Sequence, residues 1–187
     1  MVRTVSVAAG LALAAILSAA PGRAAEFRLT SPDLKAGGTI ADRFVFNSFG
    51  CTGSNVSPAL AWSGAPAGTK SFTVTAYDPD APSGSGWWHW VVADIPAGVT
   101  TLPEGAGAPS GPGLPAGAVQ GRTDYGSSAY GGPCPPQGDR PHHYIFTVHA
   151  LSVDHLPVDP QASAAMVGFA LHGTEIGRAS LTTLYGR

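Results

Sequence analysis

Glycine and proline punctuate this chain so densely that long regular helices have little room to form: there are 25 Gly and 17 Pro among 187 residues. Gly enters tight turns at no steric cost and Pro removes a backbone donor, so the sequence favours short extended segments joined by many turns. The composition is not that of a disordered chain, because 44% of the residues are hydrophobic and four are Trp, enough to fill a core. The length suits one domain. Net charge is −2 with no run of Lys or Arg, which leaves no electrostatic footprint for nucleic acid.

The N-terminus reads as a targeting segment. Arg3 supplies a positive charge, Val5 to Ala20 is a short apolar run, and Pro21-Gly22 breaks it. Cleavage after Ala24 places small Gly22 at the −3 position, whereas cleavage after Ala25 would place Arg23 there. A retained membrane anchor is the alternative, weakened by the shortness of the run. The expected organisation is a signal peptide over 1–24 and one domain over 25–187, exported to a periplasm or secreted, with no stable membrane insertion. In an oxidising compartment Cys51 and Cys134 can form only one intramolecular pair. Closing so long a loop would stabilise the fold by roughly 4 kcal/mol through chain entropy. The alternative is two buried thiols.

Alternation marks the strands. In Ser71–Asp78, Phe72, Val74, Ala76 and Asp78 share one face, and Ser71, Thr73, Thr75 and Tyr77 the other. Trp87 to Ala93 is apolar on both faces, as a central strand would be. Tyr144 to Leu151 places Tyr144, Phe146, Val148 and Ala150 on one side. Phe44–Phe46 and Leu60–Trp62 are earlier candidates, Ser180–Tyr185 is a closing one, and Pro96 to Ala118 reads as a long surface loop. Asp159-Pro160 suits a helix start, with Ala162, Ala165, Met166, Phe169 and Ala170 at helical spacing and Gly173 as its end. The fold class is mainly β: an antiparallel β-sandwich with one or two short C-terminal helices.

Polar groups appear where this pattern should exclude them. Asp78 ends an apolar face just before the rigid turn Pro79-Asp80-Ala81-Pro82, and a carboxylate there must be paired or hydrogen-bonded. His89 lies inside Trp87–Val92. His142 begins the face that continues through Tyr144, while His143 points away. Taken singly, each is a satisfied core or surface residue. Together with the stiff loop Gly131-Gly132-Pro133-Cys134-Pro135-Pro136, they form the pattern of a small-molecule pocket.

These segments resemble the phosphatidylethanolamine-binding proteins, most closely the bacterial Raf-kinase-inhibitor-like branch. The resemblance rests on Asp78–Pro82, Trp87–Trp90 with His89, and Gly132–Pro136 followed by His142-His143-Tyr144. Asn55–Pro58 through Trp62, Gly121–Tyr125 and Leu184–Arg187 extend it over the mature chain. It implies a β-sandwich with a small anion pocket for phosphate-like headgroups. The pocket residues carried over are Asp78, Pro82, His89, Cys134 through its backbone, Pro136, His142 and Tyr144. Cys134 stands where animal members usually have Gly, so a disulfide would brace the pocket wall. His143 stands where an Arg is common.

On this reading Asp78 raises the pKa of a neighbouring histidine and holds its tautomer, making the ring a donor to an anion. The same carboxylate opposes the anion, which predicts modest affinity. A hydrolase-like enzyme using the Asp/His pocket competes with the binding reading, but no Gly-x-Ser-x-Gly elbow is present. A metal site from Asp78, His89 and His142 lacks the usual ligand spacing. A protein-interaction or kinase-inhibitor-like role, a protein partner and a homodimer all stay open, because partner choice resides in surface loops. No metal and no cofactor are called for. Asn55-Val56-Ser57 fits a glycosylation sequon followed by Pro58 and carries little weight.

Overall fold

The computed structural model describes Met1 and residues 26–187, apart from Ser110 and Pro112. The expected signal peptide therefore lies outside the described residues, save Met1. Among the described residues eight strands form two antiparallel sheets. The small sheet joins β1 (Arg28–Thr30), β2 (Leu60–Ser63) and β5 (Thr101–Leu102) in that order. The large sheet contains β3 (Ser71–Asp78), β4 (Trp87–Pro96), β6 (Val119–Gln120), β7 (His142–Leu151) and β8 (Glu175–Tyr185). Its order is β6-β4-β3-β7-β8, so β3 holds the centre and β4 lies beside it. Among the described residues no helix is long and apolar enough to cross a membrane.

Both faces of the large sheet are covered, which is why β3 and β4 are buried on both sides. Phe72, Val74, Trp90, Phe146 and Val148 pack against Leu29, Leu60, Trp62 and Leu102 of the small sheet. Apolar burial there is the main source of stability, about 25 cal/mol per Å2. The opposite face of the sheet packs Val91, Ala93 and Leu151 against α1 (Ala164–Leu171).

Four local expectations need correction. Phe44–Phe46 is not a strand: Asp42–Phe44 forms a single 3-10 turn, and the Phe46 N–H donates to the Pro133 carbonyl of a loop. The helix starts at Ser163, whose Oγ accepts from the Met166 N–H, because the Asp159 carboxylate is used locally by the Gln161 N–H. Its buried face is Ala164, Val167 and Leu171, while Met166 and Phe169 are exposed. The stretch from Pro96 to Ala118 is not all surface loop, since it contains β5 and buries Leu102 and Ala106.

Candidate functional site

The ends of β3, β4 and β7 meet three loops around a cleft of about 140 Å3. All seven residues expected at the site line it: Asp78, Pro82, His89, Cys134, Pro136, His142 and Tyr144. Each arrives by a different local device. On β7, plain alternation puts His142 and Tyr144 on the core side, both 2% exposed. His143 faces out, half-exposed, with Nδ1 2.6 Å from Asp80 Oδ2, so it braces the Pro79–Pro82 turn from outside the cleft.

His89 reaches the cleft through a β-bulge. Ala76 pairs with Trp90 and Tyr77 with Trp88, leaving one extra residue on β4. Strict alternation would put His89 beside Val91 and Ala93 on the α1 side. The bulge turns it to the side of Trp87 and Trp90, as bulges do beside functional sites. Asp124 holds the bulge from outside: its carboxylate accepts the Trp88 N–H at 2.8 Å, and its own N–H donates to the Trp88 carbonyl.

The loop wall is fixed at several points. A Cys51–Cys134 disulfide closes it, with Cα atoms 5.9 Å apart. Asn55 Nδ2 donates to the Tyr130 carbonyl and its Oδ1 accepts the Gly132 N–H at 2.7 Å. That inward use of Asn55 argues against the sequon as a modification site. Arg187 Nε donates to the Pro135 carbonyl at 2.6 Å. A Cβ on Gly132 would sit 2.0 Å from the Phe44 carbonyl oxygen, so no other residue fits.

The polar groups divide into satisfied and unsatisfied ones. Asp78 is buried, but its charge is well served: Oδ1 accepts the Asp80 and Ala81 N–H groups, and Oδ2 accepts from His142 Nδ1 at 2.8 Å. The other ring nitrogen of His142 lies 3.4 Å from an Asp139 oxygen. His89 Nδ1 donates to the Gly131 carbonyl at 2.7 Å. Burial pushes the His89 ring below the ordinary histidine range, outweighing Gly131 and Asp78, which act the other way. The expected rise in pKa is therefore not what His89 experiences. Burial and the Asp78 charge push the Tyr144 phenol up, so it stays protonated.

Three buried polar atoms on residues that line this cleft form no hydrogen bond among the described residues: Trp87 Nε1, His89 Nε2 and Tyr144 OH, the last lying near the Asp78 carboxylate. Buried polar groups are normally paired, so three orphans sharing one cleft point to something that fills it. A wider groove of about 460 Å3 lies on the opposite sheet face, but its polar floor is satisfied internally. There His149 Nδ1 donates to Glu175 at 2.6 Å and Nε2 lies 3.2 Å from the Thr75 hydroxyl. The three-ligand metal alternative finds no cluster of His, Cys, Asp or Glu among the described residues.

Sequence reasoning missed Phe49, Trp87 and Tyr125. Tyr125 stands in the Gly121–Tyr125 segment; its ring stacks on Phe46 at 4.0 Å and its hydroxyl donates to the Gly132 carbonyl. Trp87 was hidden in an apolar run whose bulge leaves no compositional trace. Phe49, 67% exposed with φ 54°, forms the rim, and only its place two residues before Cys51 could have suggested it.

Comparison with known proteins agrees with this architecture. The family model described as phosphatidylethanolamine-binding protein matches residues 30–186. The chain is 55% identical to the UPF0098 protein YbcL of Escherichia coli over 163 residues, 87% of this chain and 89% of YbcL. The UPF0098 protein YbhB of the same species is 51% identical over 158 residues, 84% of this chain and 99% of YbhB. LppC of Mycobacterium tuberculosis, which carries lipoprotein in its name, is 36% identical over 133 residues, 71% of this chain and 61% of LppC. The crystal structure of YbcL, described as a member of the mammalian PEBP family, superposes with a TM-score of 0.86, covering 87% of this chain and 99% of that one. The chain belongs to the phosphatidylethanolamine-binding protein family.

Proposed function

We propose that this is an exported binding protein, not an enzyme, whose cleft reversibly holds a small oxyanion or phosphorylated headgroup. The observation that carries this reading is the set of three unpartnered polar atoms on Trp87, His89 and Tyr144 within one cleft. One is a fixed donor, the Trp87 indole N–H, and the Tyr144 phenol can turn its O–H toward an anionic oxygen as well. The adjacent Asp78 carboxylate keeps affinity modest for a bare anion and favours a headgroup that also carries an ammonium. Against catalysis, Cys134 is tied in the disulfide and the Tyr144 phenol is held protonated, so neither serves as a nucleophile. Export is supported by the targeting segment, the disulfide and the lipoprotein name of one relative. Exported material should begin at Ala25, which N-terminal sequencing checks; an intact leader would refute it.

Calorimetric titration with inorganic phosphate and O-phosphoethanolamine tests the binding reading. Saturable heat with both, stronger for phosphoethanolamine, is expected. Absence of binding to either, or turnover of a phosphoester dependent on His142, would overturn it.

A further inference from the structure

We infer that the cleft takes its anion together with one proton, held between His89 Nε2 and a ligand oxygen, and so selects phosphomonoesters over phosphodiesters. This rests on the anion-binding reading above and adds a rule for which anions qualify.

The argument begins with the tautomer. The Gly131 carbonyl can only accept, so His89 Nδ1, 2.7 Å away, carries the ring hydrogen. In the neutral ring Nε2 is then a bare lone pair, and it is the atom left without a partner. The groups facing the ring come from every neighbouring element: Asp78 on β3, His142 and Tyr144 on β7, and Asp124 and Tyr125 on the loop after β6. The two carboxylates favour a charged ring, yet its burial outweighs them and disfavours the charge. The cleft thus offers the Trp87 N–H as a donor and the Tyr144 hydroxyl beside the His89 Nε2 acceptor.

An oxyanion without hydrogen would set its lone pairs against that of Nε2. The complex needs one proton in this contact, whether it resides on nitrogen or oxygen. A phosphomonoester, whose second ionisation lies at about pH 6, still carries this proton as a P–O–H in about half its molecules at pH 6 and about a tenth at pH 7. A phosphodiester ionises far below that range, so its proton must be taken up from water onto a buried ring. Ligand oxygens other than phosphate, such as a hydroxyl at the same position, satisfy the same requirement.

The test is calorimetry on the parent protein with methyl phosphate and dimethyl phosphate between pH 5.5 and 8.5, in buffers of different ionisation heat. Above about pH 6 the affinity for methyl phosphate should fall about tenfold per pH unit, with close to one proton taken up per complex at pH 8. Dimethyl phosphate should bind at least about tenfold more weakly at pH 7. His89→Gln, which offers a fixed amide donor, should abolish the fall with pH. Equal affinity for the two esters with no proton uptake would overturn the inference while leaving anion binding intact. Binding of neither ester at any pH would remove both. If His89→Gln does not fold, the proton count on the parent decides alone.

Discussion

A buried donor without a partner costs about 1–3 kcal/mol, a penalty a fold keeps only where something else compensates. Trp87 and Tyr144 illustrate how to separate a structural role from a binding one. Tyr144→Phe removes an unpaired hydroxyl, so the melting temperature should hold or rise, while phosphate affinity falls about tenfold. Trp87→Phe should lower affinity in the same way. Thermal melts paired with phosphate titrations check both, and a marked loss of stability in Tyr144→Phe would show that its hydroxyl serves the fold. His143→Ala should leave affinity nearly unchanged, because that ring is engaged with Asp80 outside the cleft.

The pocket loop acts as an element through its anchors, not through its own regular structure. Gly132 is the tightest: an added methyl would meet the Phe44 carbonyl, and backbone cannot step aside cheaply. Gly132→Ala should destabilise by about 3 kcal/mol or more, measurable by denaturant unfolding. The disulfide is a second anchor, linking residues 83 apart in sequence. Cys51→Ala should lower stability by about 4 kcal/mol, since the unfolded chain regains the loop freedom the bond removes. Phosphate affinity should suffer less, because Asn55 and Arg187 still hold the loop. Equal stability of oxidised parent and Cys51→Ala would refute this account. The α1 helix shows the converse lesson, that a face is chosen by what it packs on: Val167 is buried and Phe169 is solvent-facing.

At the scale of the whole molecule, two buried histidines set an acid limit. Burial lowers the folded-state pKa of both His89 and His149, on opposite faces of the large sheet. In the unfolded chain each ring takes up a proton near pH 6.5, while in the fold it does so only at lower pH. The unfolded state therefore binds more protons in that window, and stability must fall with pH there. Their contribution is fully present above about pH 6.5 and is lost as the pH drops toward the folded values. Melting temperatures recorded from pH 8 down to 5 should show this decline, and a melting temperature flat across that range would contradict it. Much of the molecule was legible beforehand because it depends on local periodicity: the runs of β3 and β7, the Asp78 carboxylate at a core edge, His142 inward and His143 outward. Paired cysteines and the Gly/Pro loop were equally visible. The direction of His89, by contrast, depends on one extra residue in β4, and a run apolar on both faces carries no mark of where its register slips. The same holds for Trp87, for the helix face, and for the short β5 strand inside a Gly/Pro-rich stretch. Sequence alone determined that Asp78, His142 and Tyr144 face inward, because alternation counts along the chain. Only tertiary structure decided which of them stay unpartnered, because pairing is settled by neighbours that the chain brings together from distant positions.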